Sequence, residues 1–181
     1  MKIKINKLDA ARRQLLTAIR LYFNHGDAVS MHTLAAAAFK ITQNLCDSNS
    51  EHKDSITKWT DELVKPEHKI ILWKKFHETA NFFKHAKQDF DAVIDYNTDQ
   101  TEHLLYFAVY QYRQLTNEYS PEIHIFSAWY MLNYPSVFNA PAEVITLGQD
   151  YIGRDRKIFW REMLPLVNEK IDKELIGDGS I

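Results

Sequence analysis

The chain has 181 residues, 45% of them apolar and 25% charged, with a formal net charge of -2. That length and balance suit one globular domain around a single core and argue against intrinsic disorder. A charge so close to zero supplies no bulk attraction to nucleic acid or an anionic membrane, so any polyanion would have to be held by a local patch.

Glycine is the most informative count. There are five, and none lies between Gly26 and Gly148. Tight hairpins, dinucleotide-binding loops and phosphate-cradling P-loops need the backbone freedom of glycine, so helices joined by polar loops are expected instead. The opening MKIKINKLDAARRQ is charged and leads into no apolar signal region, and no stretch approaches the roughly 18 apolar residues of a membrane span. Cys46 stands alone, which excludes an intrachain disulfide and a multi-cysteine zinc site. A cytoplasmic protein without membrane contact is the expectation.

In chain order, Asn6 is positioned to cap a first helix from Lys7 to about Asn24. Leu8, Ala11, Leu15, Ala18, Ile19, Tyr22 and Phe23 recur there at helical spacing. His25-Gly26 ends it, glycine being common just past a helix terminus. Asp27 caps a second helix from Ala28 to about Leu45, with Met31, Leu34, Ala35, Ala38, Ile41 and Leu45 as its apolar stripe. The run Ala35 to Ala38 has so little bulk that a neighbouring helix can come close. These two helices are expected to form an antiparallel pair.

The polar stretch Asp47 to Asp54 reads as a loop, and Ile56 to Val64 as a short helix. Pro66 suits a first helical turn and opens a third long helix through about Gln88. Its apolar row is Leu72, Phe76, Ala80, Phe83 and Ala86, with Ile70 and Trp73 beside it. Asp89 to Asn97 lacks a partner strand and reads as a crossover. Asn97 or Thr98 then caps a helix to about Asn117, whose apolar residues wrap so far around that it should be the most buried. Ser120-Pro121 opens a helix to about Asn133. Pro141 starts another, and a last one spans Asp155 to Lys173 with Pro165 inside. The expected architecture is all-α, a bundle of about five to seven helices, with residues 1–176 one domain and 177–181 a frayed tail.

Chemistry is concentrated in Trp73 to Phe90. At about 100° per residue, His77, Asn81, Lys84, His85 and Gln88 share one side of an uninterrupted helix. Two histidines, an asparagine and lysines suit an anion or phosphate. Lys84 would be a point charge, Asn81 an orienting amide, and His85 a donor or general acid/base near neutral pH. The same stripe is equally the solvated face of an amphipathic helix.

Asn81-Phe82-Phe83-Lys84-His85 resembles the Asn-x-x-x-His half of the Arg-Asn-x-x-x-His motif of the HEPN superfamily. These are helical bundles with an N-terminal antiparallel helix pair, some of them metal-independent ribonucleases of toxin and antiphage systems and others inactive binding proteins. The resemblance implies a site for RNA or a nucleotide, with His85 as the catalytic candidate and His77, Asn81, Lys84 and Gln88 as binding candidates. It also implies a homodimer, with no cofactor and no metal. Asn81 and His85 match the motif, but Ala80 stands where its arginine belongs, and a lysine cannot reproduce a guanidinium fork on a phosphate. Binding with little or no catalysis is therefore expected, with a metal-independent ribonuclease or a protein-interaction module as alternatives. The LYF...GD...HTLAAAA and ANFFKHA stretches are also similar to those of an uncharacterised bacterial protein family, over about Ala18 to Asp89.

Elsewhere, Arg20 and His25 form a literal Arg-x4-His, but about one such match is expected by chance in a chain of this composition. The eight histidines include no H-x-x-x-H pair and no E-x-x-H repeat, so zinc-hydrolase and di-iron spacings are absent. Asp89, Asp91 and Asp95 lack the glycine and glutamate of a calcium loop. His32 reads as a semi-buried, hydrogen-bonded histidine, and the aromatic residues around Trp129 and Trp160 as core.

Overall fold

A computed structural model of the chain describes residues 2–52, 58, 60, 66–86, 90–118, 120–135, 146 and 148–177, with the backbone alone at 66–72 and 173–177. Among the described residues there are six α-helices, one 3-10 turn and no strand. The helices are α1 (Lys7–Phe23), α2 (Ala28–Asp47), α3 (Pro66–Phe82), α4 (Asp99–Thr116), α5 (Pro121–Asn133) and α6 (Arg156–Gly177), and the 3-10 turn is Gln149–Tyr151. The helical positions Lys58 and Thr60 lie within the short helix expected at Ile56 to Val64, whose remaining residues are outside the described set. So is the helix start expected at Pro141.

The caps explain most helix starts. Asn6 Oδ1 accepts from the Asp9 amide at 2.8 Å, and Asp27 Oδ1 from the Ser30 amide at 2.7 Å. Ser120 Oγ accepts from the Ile123 amide, with Pro121 in the first turn. Each oxygen satisfies an amide that a helix start leaves without a partner. At α4 the oxygen comes from Asn97, which accepts from the Asp99 amide at 2.9 Å.

The end of α1 differs from the glycine-terminated form. His25, not Gly26, takes the left-handed conformation (φ 53°), and the Gly26 amide donates to the Leu21 carbonyl at 2.8 Å. This is a Schellman turn with histidine in the usual glycine place. Gly26 is needed one residue later, because a Cβ there would lie 2.7 Å from Leu21 Cδ2 and 3.2 Å from its Cα. His25 is held in turn by Asp155, whose Oδ2 lies 2.8 Å from its Nε2 while Oδ1 caps α6.

The bundle centres on α2, which packs mainly against α1 and α4. Having two neighbours, it buries a wider face than the expected stripe. Met31, Ala35 and Ala38 are buried as expected, but Leu34, Ile41 and Leu45 are only half-buried. The second buried row is His32, Ala36, Phe39, Thr42 and Cys46. Two of its members are polar, so apolar periodicity misses it; α4 supplies their partners. His32 Nδ1 meets Thr101 Oγ1 at 2.9 Å, and Thr42 Oγ1 donates to Gln111 Oε1 at 3.0 Å. As expected from its wraparound apolar pattern, α4 is heavily buried, from Thr101 through Tyr112.

An aromatic core fills the space between α1, α5 and α6. The Phe23 ring meets those of Tyr22, Phe126, Trp129, Phe159 and Trp160 at centroid separations of 5.0–6.3 Å. Trp129 Nε1 donates both to Tyr22 Oη at 2.8 Å and to Glu102 Oε1 at 2.9 Å. These polar ends are thus satisfied within the core, as buried indole and phenol groups require. Residues 90–97 cross between α3 and α4 without forming a strand, as expected.

Candidate functional site

The third helix stops earlier than its periodicity predicts. Regular α3 ends at Phe82, and the Asn81 carbonyl accepts from the amides of both Lys84 and His85, at 3.1 and 3.0 Å. No glycine or proline marks this stop. Its physical reason is tertiary: Phe83, turning off the helix, places its ring 5.6 Å from His32 and 5.2 Å from Tyr96, edge-on to both. The continuous stripe expected from His77 to Gln88 is therefore corrected. His77 and Asn81 are helical, Lys84 sits in the turn, His85 lies beyond it, and Gln88 is outside the described residues.

Three of the expected site residues nevertheless meet. His77, Asn81 and Lys84 line one cavity of about 140 Å³ with Ala36, Phe39, Phe76, Ala80 and Leu104, and with Lys40, which sequence reasoning missed. The floor is apolar and buried, and the four polar residues are exposed around it. Ala80, at the place of the motif's arginine, is only 8% exposed and belongs to the floor. A long side chain there would fill the space that alanine leaves.

Lys40 is one turn from Ala36 and two turns from His32, so all three lie on the same side of α2. Its only sequence signal was being a lone cation after four alanines, and nothing in α3 pointed to it. Among the described residues neither Lys40 nor Lys84 has a carboxylate partner; Lys40 Nζ donates to Gln43 Oε1 at 3.1 Å. Two cations thus stand beside an apolar recess with no neutralising carboxylate among the described residues. His85 is exposed and is not part of the lining, which separates the catalytic candidate from the binding candidates.

Two turns before Lys40 on α2, His32 is fully buried, deeper than the semi-buried place expected for it, and hydrogen-bonded as expected. Its partner Thr101 also contacts the Tyr96 hydroxyl, which reaches the Ala28 carbonyl at 3.4 Å. His32 Nε2 has no partner among the described residues. Burial, aided by the positive charge of Lys84, pushes the His32 pKa down to about 4, so its ring is neutral at pH 7.

The Arg20–His25 pair is divided between two structural bridges. Arg20 Nη2 lies 2.6 Å from Glu122 Oε1, whereas His25 pairs with Asp155. A third bridge joins Arg12 to Glu118, which also accepts from the Tyr112 hydroxyl. The described residues contain no group of three or more His, Cys, Asp or Glu placed to hold a metal ion. None of their helices is long and apolar enough to cross a membrane. No protein-family model matches the chain, and comparisons with curated proteins and with solved structures find no match.

Proposed function

We propose that this chain is a HEPN-like helical domain that binds RNA or a nucleotide through the cavity at the end of α3, with little or no catalysis. The observation that carries the reading is the junction of His77, Asn81, Lys84 and Lys40 around an apolar recess. Two lysines with no carboxylate partner among the described residues supply the attraction for phosphate, and Asn81 supplies an amide that both donates and accepts. His85, next to this rim in sequence, is a further donor for a ligand that extends past it.

Ala80 weighs against catalysis, because it removes the guanidinium that the motif would place on the phosphodiester, and no arginine is among the described lining residues. In the alternative, a metal-independent ribonuclease, Lys84 or Arg20 would have to replace it, and Arg20 is held by Glu122. The resemblance further suggests a cytoplasmic homodimer. Phe90 and Val93, 85% and 93% exposed just after the site, offer apolar surface for such a contact.

Titration of RNA and of mononucleotides at fixed salt tests the reading. Lys84→Ala combined with His85→Ala is expected to weaken binding at least tenfold, about 1.4 kcal/mol; unchanged affinity rejects this site. Incubation with total RNA and a chelator separates the alternative, which requires cleavage that disappears in His85→Ala.

A further inference from the structure

Resting on that reading, we infer that the cavity takes a single pyrimidine base, carried by a free mononucleotide or by one unstacked unit of single-stranded RNA. The size of the recess is the first reason. Its 140 Å³ is close to the roughly 150 Å³ that admits one benzene ring in a protein core. One six-membered ring fills this apolar recess, and the fused second ring of a purine seated in it would project past the polar rim.

The walls are the second reason. Ala36, Phe39, Phe76, Ala80 and Leu104 offer apolar and aromatic surface for the faces of a ring, while Asn81 at the rim can match the mixed donors and acceptors of a pyrimidine edge. The third is the charge. Lys40 on α2 and Lys84 after α3 approach from different elements, so a base in the recess would carry its phosphate towards cations that lack a carboxylate partner among the described residues. A duplex keeps its bases stacked and paired, and only a free nucleotide or an unstacked strand can insert one.

The recess is also backed by packed rings. Phe39 stacks on Trp73 at 5.8 Å, and Phe76 packs edge-on against both Trp73 and Phe107. A purine seated wholly within the recess would have to displace rings that already contact one another. Size exclusion of this kind typically discriminates by about tenfold or more.

Calorimetric titration of the full chain with UMP, CMP, AMP, GMP and inorganic phosphate, and with octamers of U and of A, tests the inference. UMP and CMP are expected to bind at least about tenfold more tightly than AMP and GMP. Ala80→Leu, which fills the floor, is expected to abolish that preference; Ala36→Val serves if the first variant does not fold. An octamer of U that binds more tightly than UMP identifies RNA as the source, and equal or weaker binding identifies the mononucleotide. Purines binding as well as pyrimidines, or a preference that survives a folded floor-filling variant, overturns the pyrimidine assignment and leaves nucleotide binding intact. Absence of binding by every nucleotide and octamer overturns the underlying reading as well.

Discussion

Acid is expected to destabilise this protein through His32, and His32→Asn is expected to remove that part of the sensitivity. In the unfolded chain His32 takes up a proton as the pH falls below its ordinary value of 6.5, whereas in the fold it stays neutral until about pH 4. Between those values the unfolded state binds the extra proton, so stability is full above 6.5 and declines as the pH falls. At about 1.36 kcal/mol per pH unit, the gap corresponds to about 3 kcal/mol lost at pH 4, a large share of a typical domain's stability. The structure gives the cause: an ion in this position would be cut off from water and would meet the Phe83 and Tyr96 rings, the Thr101 hydroxyl and the charge of Lys84.

Asparagine retains a polar group near Nδ1 to pair with Thr101 and has no proton to gain. The assay is urea denaturation followed by tryptophan fluorescence, at about pH 7.5 and about pH 4, comparing the change in stability and not its absolute value. His103, also depressed by burial, contributes equally to both proteins and cancels. The wild-type chain should lose about 3 kcal/mol more than the variant. Parallel losses would refute the reasoning.

Three further outcomes follow from other contacts. Glu118→Gln should cost on the order of 1 kcal/mol in denaturant titrations, since Arg12 is partly solvated and the pair is screened. Arg12 and Tyr112 hold the Glu118 carboxyl below its ordinary 4.5, so this contribution is present above that pH and is lost as the pH falls through the lowered value. Trp129→Phe should cost about 1–3 kcal/mol by the same measurement, because Tyr22 and Glu102 lose a shared buried donor. Lys40→Ala and Lys84→Ala should each reduce the slope of log affinity against log salt by about 0.7 for single-stranded RNA, measured by fluorescence anisotropy.

Helix starts were the most legible feature of the sequence, because a cap is local. Asn6, Asp27 and Ser120 accept the amides that their positions imply. Features set by distant residues were not legible. The stop of α3 depends on Phe83 meeting His32 and Tyr96, and the second buried row of α2 depends on hydroxyl and amide partners from α4. A left-handed His25 likewise makes sense only beside Asp155. At the candidate site, helical spacing grouped His77 with Asn81 and Lys84, four and three residues apart, and these three line one cavity. His85, grouped with them by the same spacing, is not among the lining residues, and Gln88 lies outside the described set; the spacing could not supply Lys40, which reaches the cavity from another helix.

The central claim is that an anionic nucleotide occupies this cavity. Amide chemical-shift mapping on isotope-labelled protein, titrated with UMP and with an octamer of U, tests it most directly. Saturable shifts concentrated at Ala36, Lys40, His77, Asn81 and Lys84 are the predicted result. Shifts that never saturate, or that gather at the separate recess lined by Leu8, Leu45 and Leu115, would contradict it.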